Sequence, residues 1–358
     1  MTRRFVSAVA GPAERGREFG AAHAGEVAAT IAGYHRLFAA AYGAEVDLDG
    51  FGELALERID GWAGDLGEEI RGIAAGAGIP AVRVAAINAR TEIIAQLRLT
   101  LPECSAVVAL RGPGEAAVAA QNWDWYSPMA DNWLEWTIPF PDGRRVTTLT
   151  EYGLVGKIGV NDAGLGVLFT MLHHRDDGAG LGVPVHVVAR RVLDQARDVA
   201  AARAICASAR TSASTSVTIV GGDAAVSVEL WPGGPSFHAP DERGLLIRTN
   251  HFLTPEARDG DLVPAEAPST LIRYDALRRH LRGRDVTAED VFDALADHSG
   301  GVCSHPLAQD PADLRHATLA TVLLDLAEGR LVVSDGTPCR AERPLWNTHG
   351  AQRISHSS

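Results

Sequence analysis

Apolar positions in the first hundred residues recur at helical spacing. Residues 13–42 are rich in Ala, Glu and Arg around such a stripe, and Gly43 closes the run. Asp49 starts a second amphipathic segment, and 66–77 forms a third, ended by Gly76 and Gly78. Pro80 opens a fourth through Ile87, Ile93, Ile94 and Leu97. After Pro102 the pattern changes. Residues 104–110 read as a short apolar strand, 111–115 as a turn and 116–124 as the returning strand of a hairpin. Further strands are predicted near 133–139, 145–150, 153–160 and 165–172, then a helical pair over 184–209. Two strands flank the turn at Gly221 and Gly222, and another ends near Asn250. Helices at 269–282 and 287–297 precede a hairpin of 316–326 and 330–335 that turns at Glu328 and Gly329. Strands joined by short hairpins and grouped between helices predict an α+β protein with antiparallel sheets and helices on the outer faces.

Composition narrows the partners. The 358 residues suit one large layered domain or two smaller ones, and 46% hydrophobic with 22% charged residues is the mix of a soluble globular protein. A net charge of −12 and a pI near 5.5 make nucleic acid and anionic membranes poor partners. No apolar run approaches the roughly 20 residues that span a bilayer. Gly11 and Pro12 interrupt the apolar stretch behind Arg3 and Arg4 before it becomes a signal-peptide core, so a cytoplasmic location is expected. Cys104, Cys206, Cys303 and Cys339 are far apart with no C-x-x-C pair, so free thiols and no metal are expected. His173 and His174, neighbours on a strand, point to opposite faces and do not share an ion. No cofactor is expected.

The candidate chemistry centres on Cys104. A cysteine opening an apolar strand is ordinarily an inert core residue. This one lies at the junction of the two compositional regimes, in Pro102-Glu-Cys-Ser, and its hairpin partner ends in the polar-aromatic cluster Gln121-Asn-Trp-Asp-Trp-Tyr. No G-x-S-x-G, H-E-x-x-H or Walker loop competes with it.

Several short motifs then occur in order: residues 69–80, beginning Glu69-Ile-Arg-Gly, Ile87-Asn-Ala-Arg-Thr-Glu, Cys104-Ser, Gln121-Asn-Trp-Asp, Gly159-Val-Asn-Asp-Ala-Gly-Leu, Arg248-Thr-Asn-His-Phe-Leu and Arg315-His-Ala-Thr-Leu. Their succession resembles the isopenicillin-N acyltransferase (acyl-coenzyme A:6-aminopenicillanic acid acyltransferase) family of cysteine Ntn-hydrolases. The resemblance implies an αββα sandwich of two antiparallel sheets, with residues 1–103 as a helical N-terminal segment and 104–358 as the catalytic core. It also implies autocatalytic cleavage between Glu103 and Cys104, leaving a heterodimer of the two fragments. Penicillin-making members carry glycine where Glu103 stands. The freed α-amine, with a reference pKa of about 7.7–8.0 against about 10.4 for lysine, can take the thiol proton near neutral pH. Cys104 would then attack an amide carbonyl, and water or an amine would resolve the thioester.

By the same resemblance Asn250 matches the oxyanion-hole amide, though an Asn ending a strand also reads as a turn former. Asp124 matches the acid that orients the new amino terminus, or else a hairpin-end hydrogen bond. Arg315 matches an arginine near the nucleophile, or else a surface ion pair. Trp123, Trp125 and Tyr126 read as an acyl pocket or as packing, and Thr170, where the family often has asparagine, falls among the expected substrate contacts. Arg190-Arg191 and Arg278-Arg279-His280 read as solvated helix faces rather than a coenzyme A phosphate site. The leading expectation is hydrolysis of an N-acyl or N-aminoacyl small molecule. Acyl transfer from a thioester or amide donor to an amine is the second, and an uncleaved, non-catalytic binding protein the third.

Overall fold

The computed structural model describes residues 3–99, 104–112, 114–283 and 285–341. Glu103 and the polar tail lie outside the described residues. The N-terminal third holds β1 (Arg4–Val6), α1 (Pro12–Ala22), α2 (Ala24–Tyr42), α3 (Leu48–Ala77), α4 (Ala81–Asn88) and α5 (Arg90–Leu97). The single helical run expected over 13–42 breaks at His23, and the segments expected from Asp49 and over 66–77 join into one helix kinked at Ala63. The Asp47 carboxylate accepts from the Gly50 N–H to start α3, and Gly78 ends it at φ +68, in the left-handed region that favours glycine.

Helices α1 and α3 meet backbone to backbone. A Cβ added to Gly16 or Gly20 would lie 2.2 or 2.1 Å from the carbonyl oxygens of Glu69 and Ile73. One on Gly72 or Gly76 would lie 2.3 or 2.2 Å from those of Ala13 and Arg17. Only glycine permits that approach.

The remaining chain supplies β2 (Ser105–Ala109), β3 (Val118–Tyr126), β4 (Trp133–Pro139), β5 (Arg145–Glu151), β6 (Ile158–Asn161), β7 (Leu165–Met171), α6 (Val185–Gln195), α7 (Val199–Ser208), β8 (Thr215–Gly221), β9 (Ala224–Trp231), β10 (Gly234–His238) and β11 (Leu245–Arg248). It closes with α8 (Pro255–Arg258), α9 (Val263–Glu266), α10 (Ser269–His280), α11 (Ala288–Leu295), β12 (His316–Asp325) and β13 (Arg330–Asp335). Among the described residues one sheet runs β1-β4-β5-β6-β7-β8-β9-β10 and the other β11-β2-β3-β12-β13. Neighbouring strands are antiparallel except β1, which pairs parallel with β4, so the first sheet is mixed rather than wholly antiparallel. The strand expected over 153–160 shrinks to Ile158–Asn161, because Tyr152 to Lys157 form a loop that turns at Gly153 with φ +96.

The two sheets face each other. Ala106 and Val108 of β2 enter the core between them, while Val107 and Ala109 enter a second core under α10 and α11. Helices α6 and α7 cover the outer face of the larger sheet. The α+β class and the layered two-sheet architecture are those expected. The side-chain amide of Gln121 ties the layers together, donating to Phe169 O at 2.5 Å and accepting from Phe169 N–H at 2.8 Å.

The N-terminal helices share the inter-sheet core and are joined to it by buried charge. Arg190, expected on a solvated face, is fully buried and pairs with Glu69 of α3 at 2.6 Å and with Asp194 at 2.7 Å. A guanidinium can be buried there because carboxylates and the Val155 carbonyl take its hydrogens. No described helix is long and apolar enough to cross a membrane.

Candidate active site

Cys104 stands immediately before β2, between β11 and β3, where the register sets Ser105 opposite Asn122 and Ala106 opposite Arg248. Its side chain belongs to the inter-sheet core and is 4% exposed. Side chains hold its main-chain atoms. The N–H donates to Asn250 Oδ1 at 3.0 Å, and the carbonyl accepts from Arg273 Nη1 at 2.7 Å. Arg273 Nη1 also donates to Ser105 Oγ, and Nη2 to Asn250 Oδ1, both at 2.9 Å. The backbone N–H and the guanidinium are donors only, so the Asn250 oxygen must face them. The Asn250 amide nitrogen then donates to Met171 O at 2.9 Å and carries a second N–H.

Asp124 lies on the neighbouring strand. Its carbonyl oxygen is 3.6 Å from Cys104 Sγ, and its carboxylate accepts from Thr318 Oγ1 at 2.6 Å. Cys104, Asp124 and Asn250 are thus brought together. Arg315 is not brought to Cys104 by any described hydrogen bond: its guanidinium donates to the carbonyls of Asp310 and Ala308, closing its own loop. The arginine that holds Cys104 is Arg273, which the sequence reading passed over. It lies one helical turn after Thr270, whose hydroxyl accepts from Asn250 N–H, so one face of α10 serves Asn250 twice.

A second group missed in the sequence acts electrostatically on the thiol. Lys157 is buried, with Nζ 3.5 Å from the Trp123 ring centroid and 3.3 Å from Glu151 Oε2. Arg90 pairs with the same Glu151 oxygen at 3.0 Å and stacks 3.9 Å over Trp125. The Tyr34 hydroxyl donates to Glu151 Oε1 and accepts from Trp125 Nε1. Burial opposes ionisation of Glu151, but Arg90 and Lys157 hold it below its usual range. Burial brings Lys157 down to about 7 against the pull of Glu151. Burial, reinforced by Asp124, pushes the Cys104 thiol up to about 11, while Lys157 and Arg273 work the other way. The thiol is therefore protonated at neutral pH, and Lys157 is a nearby group that changes charge there.

Trp123, Trp125 and Tyr126 are buried, the first two forming the aromatic floor under Lys157 and Arg90. Thr170 is buried on β7, with no hydrogen-bond partner for its hydroxyl among the described residues. His173 pairs with Glu266 at 2.9 Å, while His174 accepts from Asp176 N–H, so the two rings serve different partners. A small pocket bordering Leu99 and Met171, whose main-chain oxygen holds Asn250, has a volume of about 10 Å³. A larger pocket of about 540 Å³, lined by Ile31, His35, Leu48, Asp49, Ile79 and Arg83 among others, does not include Cys104.

Residues 110–338 match the family described as AAT, acyl-coenzyme A:6-aminopenicillanic acid acyl-transferase. The acyl-coenzyme A:6-aminopenicillanic-acid-acyltransferase 40 kDa form of Emericella nidulans is 28% identical over 277 residues, 76% of this chain and 75% of that one. Among solved structures, a Caenorhabditis elegans ortholog of N-acylethanolamine-hydrolyzing acid amidase aligns over 63% of this chain and 93% of its own, with 13% identity and a TM-score of 0.44. Penicillin V acylase from Agrobacterium tumefaciens aligns over 65% and 83%, with 16% identity and the same score of 0.44. The family match spans more than half of the sequence, and the chain belongs to the acyl-coenzyme A:6-aminopenicillanic acid acyl-transferase family.

Proposed function

We propose that this chain is the precursor of an N-terminal-nucleophile enzyme that cuts itself between Glu103 and Cys104 and then hydrolyses an N-acyl or N-aminoacyl small molecule. The observation that carries this reading is the grip on Cys104: Asn250 on its nitrogen, Arg273 on its carbonyl and Asp124 at its thiol. A strand residue needs only ladder partners for its main chain. Here side chains from two later segments hold the atoms that would become the catalytic amine and its neighbours.

In the first step the thiol sulfur attacks the Glu103 carbonyl carbon. The amide C–N bond breaks, the thiol proton ends on the Cys104 nitrogen, and water hydrolyses the resulting thioester to free the Glu103 carboxylate. The new α-amine can keep its contact with Asn250 Oδ1 and serve as the base for later turnovers. In each turnover Cys104 Sγ bonds to the substrate carbonyl carbon, and the proton taken by the amine passes to the leaving amine. Water then releases the acid. The Arg273 guanidinium and the Asn250 amide are the donors for the developing oxyanion. Residues 1–103 stay with 104–358 as a heterodimer through the buried Glu69–Arg190 and Arg90–Glu151 pairs.

A second reading has a specific support. The family and the Emericella nidulans relative are named as acyltransferases, which favours an amine rather than water as the acceptor. Intact mass spectrometry on wild type beside Cys104→Ala tests the cut. Two fragments, the larger starting at Cys104, from wild type alone support the proposal, whereas an uncut wild type after long incubation favours a binding protein. Turnover of N-acyl amides with and without added amine then separates hydrolysis from transfer.

A further inference from the structure

Behind β3, away from Lys157, the loop between α11 and β12 is tied down at several points. Asn122 Nδ2 donates to Leu295 O at 2.8 Å and Val302 O at 3.0 Å. Ser304 N–H donates to Thr318 Oγ1, and Thr318 N–H donates back to Ser304 O, both at 3.1 Å. The hairpin of β12 and β13 then returns the chain to the same place. Cys339 meets His298, Cys303 and His305 there, with one ligand atom from each side chain all within 4.8 Å of one another.

Hydrogen bonding alone does not account for this convergence. His305 Nε2 has three neighbours: His298 Nε2 at 3.1 Å, Cys303 Sγ at 3.5 Å and Cys339 Sγ at 3.5 Å. A ring nitrogen carries one hydrogen or one lone pair, so it cannot serve three such partners. A central cation can. With metal–nitrogen bonds of about 2.0–2.1 Å and metal–sulfur bonds of about 2.3 Å, a tetrahedron has edges of about 3.3 Å between nitrogens and about 3.6 Å between nitrogen and sulfur. The three separations from His305 Nε2 fit those edges, and the four ligand atoms lie within 4.8 Å of one another, so small side-chain rotations would close the tetrahedron. Two thiolates and two imidazoles are soft and borderline donors, which favours Zn²⁺ over Mg²⁺ or Ca²⁺.

We propose that His298, Cys303, His305 and Cys339 form a structural Zn²⁺ site. Binding forms four metal–ligand bonds and releases one proton from each thiol, leaving a neutral site. Four protein ligands leave no open position, so the metal fastens the segment after β13 to the loop behind Asp124 and takes no part in bond breaking. Through Ser304 and Thr318 that loop reaches the Asp124 carboxylate.

The test uses tag-free full-length protein from zinc-supplemented cells, purified without chelator. Elemental analysis should give about one zinc per chain in wild type and in Cys104→Ala, and close to none in Cys303→Ser/Cys339→Ser. Cobalt loading should give the visible bands of a tetrahedral thiolate site. His298 and Cys339 are exposed, so His298→Ala and Cys339→Ser should fold, lose zinc, and no longer show the fall in Tm that a chelator causes in wild type. Wild type that stays zinc-free after dialysis against zinc would overturn the site. So would a double variant that keeps its zinc, or a wild-type mass short of two hydrogens, which would mean a disulfide. None of these readouts depends on self-cleavage, so the two proposals fail separately.

Discussion

Two arginines compete for the place beside Cys104, and their contacts separate them. Arg273 holds Cys104 O and Asn250 Oδ1, whereas Arg315 holds the carbonyls of its own loop. Arg273→Gln should therefore slow self-cleavage by about 10²–10³-fold, the usual loss on removing one oxyanion donor. Arg315→Ala should leave it within a few-fold, as followed by gel electrophoresis over time. The reverse result would return the role to Arg315. Lys157 should set the pH response of cleavage. Near pH 7 it passes from cation to free amine, and it is close enough to Cys104 for each to shift the other's proton affinity. The rate of cleavage should rise through about pH 7 and level off, and Lys157→Met should remove that inflection. Stability carries the same sign. The folded lysine binds its proton less tightly than the unfolded one, so its contribution grows as pH rises from about 7. Cys104, Asp124 and Asn250 could be picked out from sequence because each lies in a short motif. Arg273 could not, because in Ser269-Thr-Leu-Ile-Arg-Tyr it is one arginine among several on a helix, and only the fold aims it at a strand end.

At the scale of elements, the α1–α3 contact makes identical substitutions act in opposite directions. Gly72→Ala puts a methyl group 2.3 Å from Ala13 O and should destabilise the protein by about 1–3 kcal/mol, as overpacking does. Gly61→Ala, on the same helix with nothing within 4 Å, should stabilise it by about 0.4–1 kcal/mol. Urea unfolding measures both, and a matching sign would mean that the helices do not pack this closely. The hairpins were legible, since alternation and turn residues are local. The merging of two segments into α3 was not, because a kink at Ala63 and a helix end look alike in periodicity. Nor was the meeting of Cys303 with Cys339, which is a product of the β12–β13 hairpin rather than of sequence spacing.

For the whole molecule, residues before and after Cys104 fold as one body. The helices bury their apolar faces against both sheets, and Glu69, Arg90 and Arg190 pair across the expected boundary. Cleavage would turn that internal packing into a subunit interface. The thermal midpoint of the cut protein should then fall on dilution, while that of Cys104→Ala should not. Concentration-independent melting of the cut form would show that the fragments unfold without separating. The strand β1 gives such separation a further cost. It covers β4 at the end of the eight-stranded sheet, register Arg4 to Glu135 through Val6 to Thr137. A large fragment stripped of its N-terminal partner would bare the hydrogen-bonding edge of Trp133–Pro139, a ready template for a second copy. The small fragment would thus be an edge guard as well as a propeptide, and its loss would lead to aggregation rather than to a free subunit.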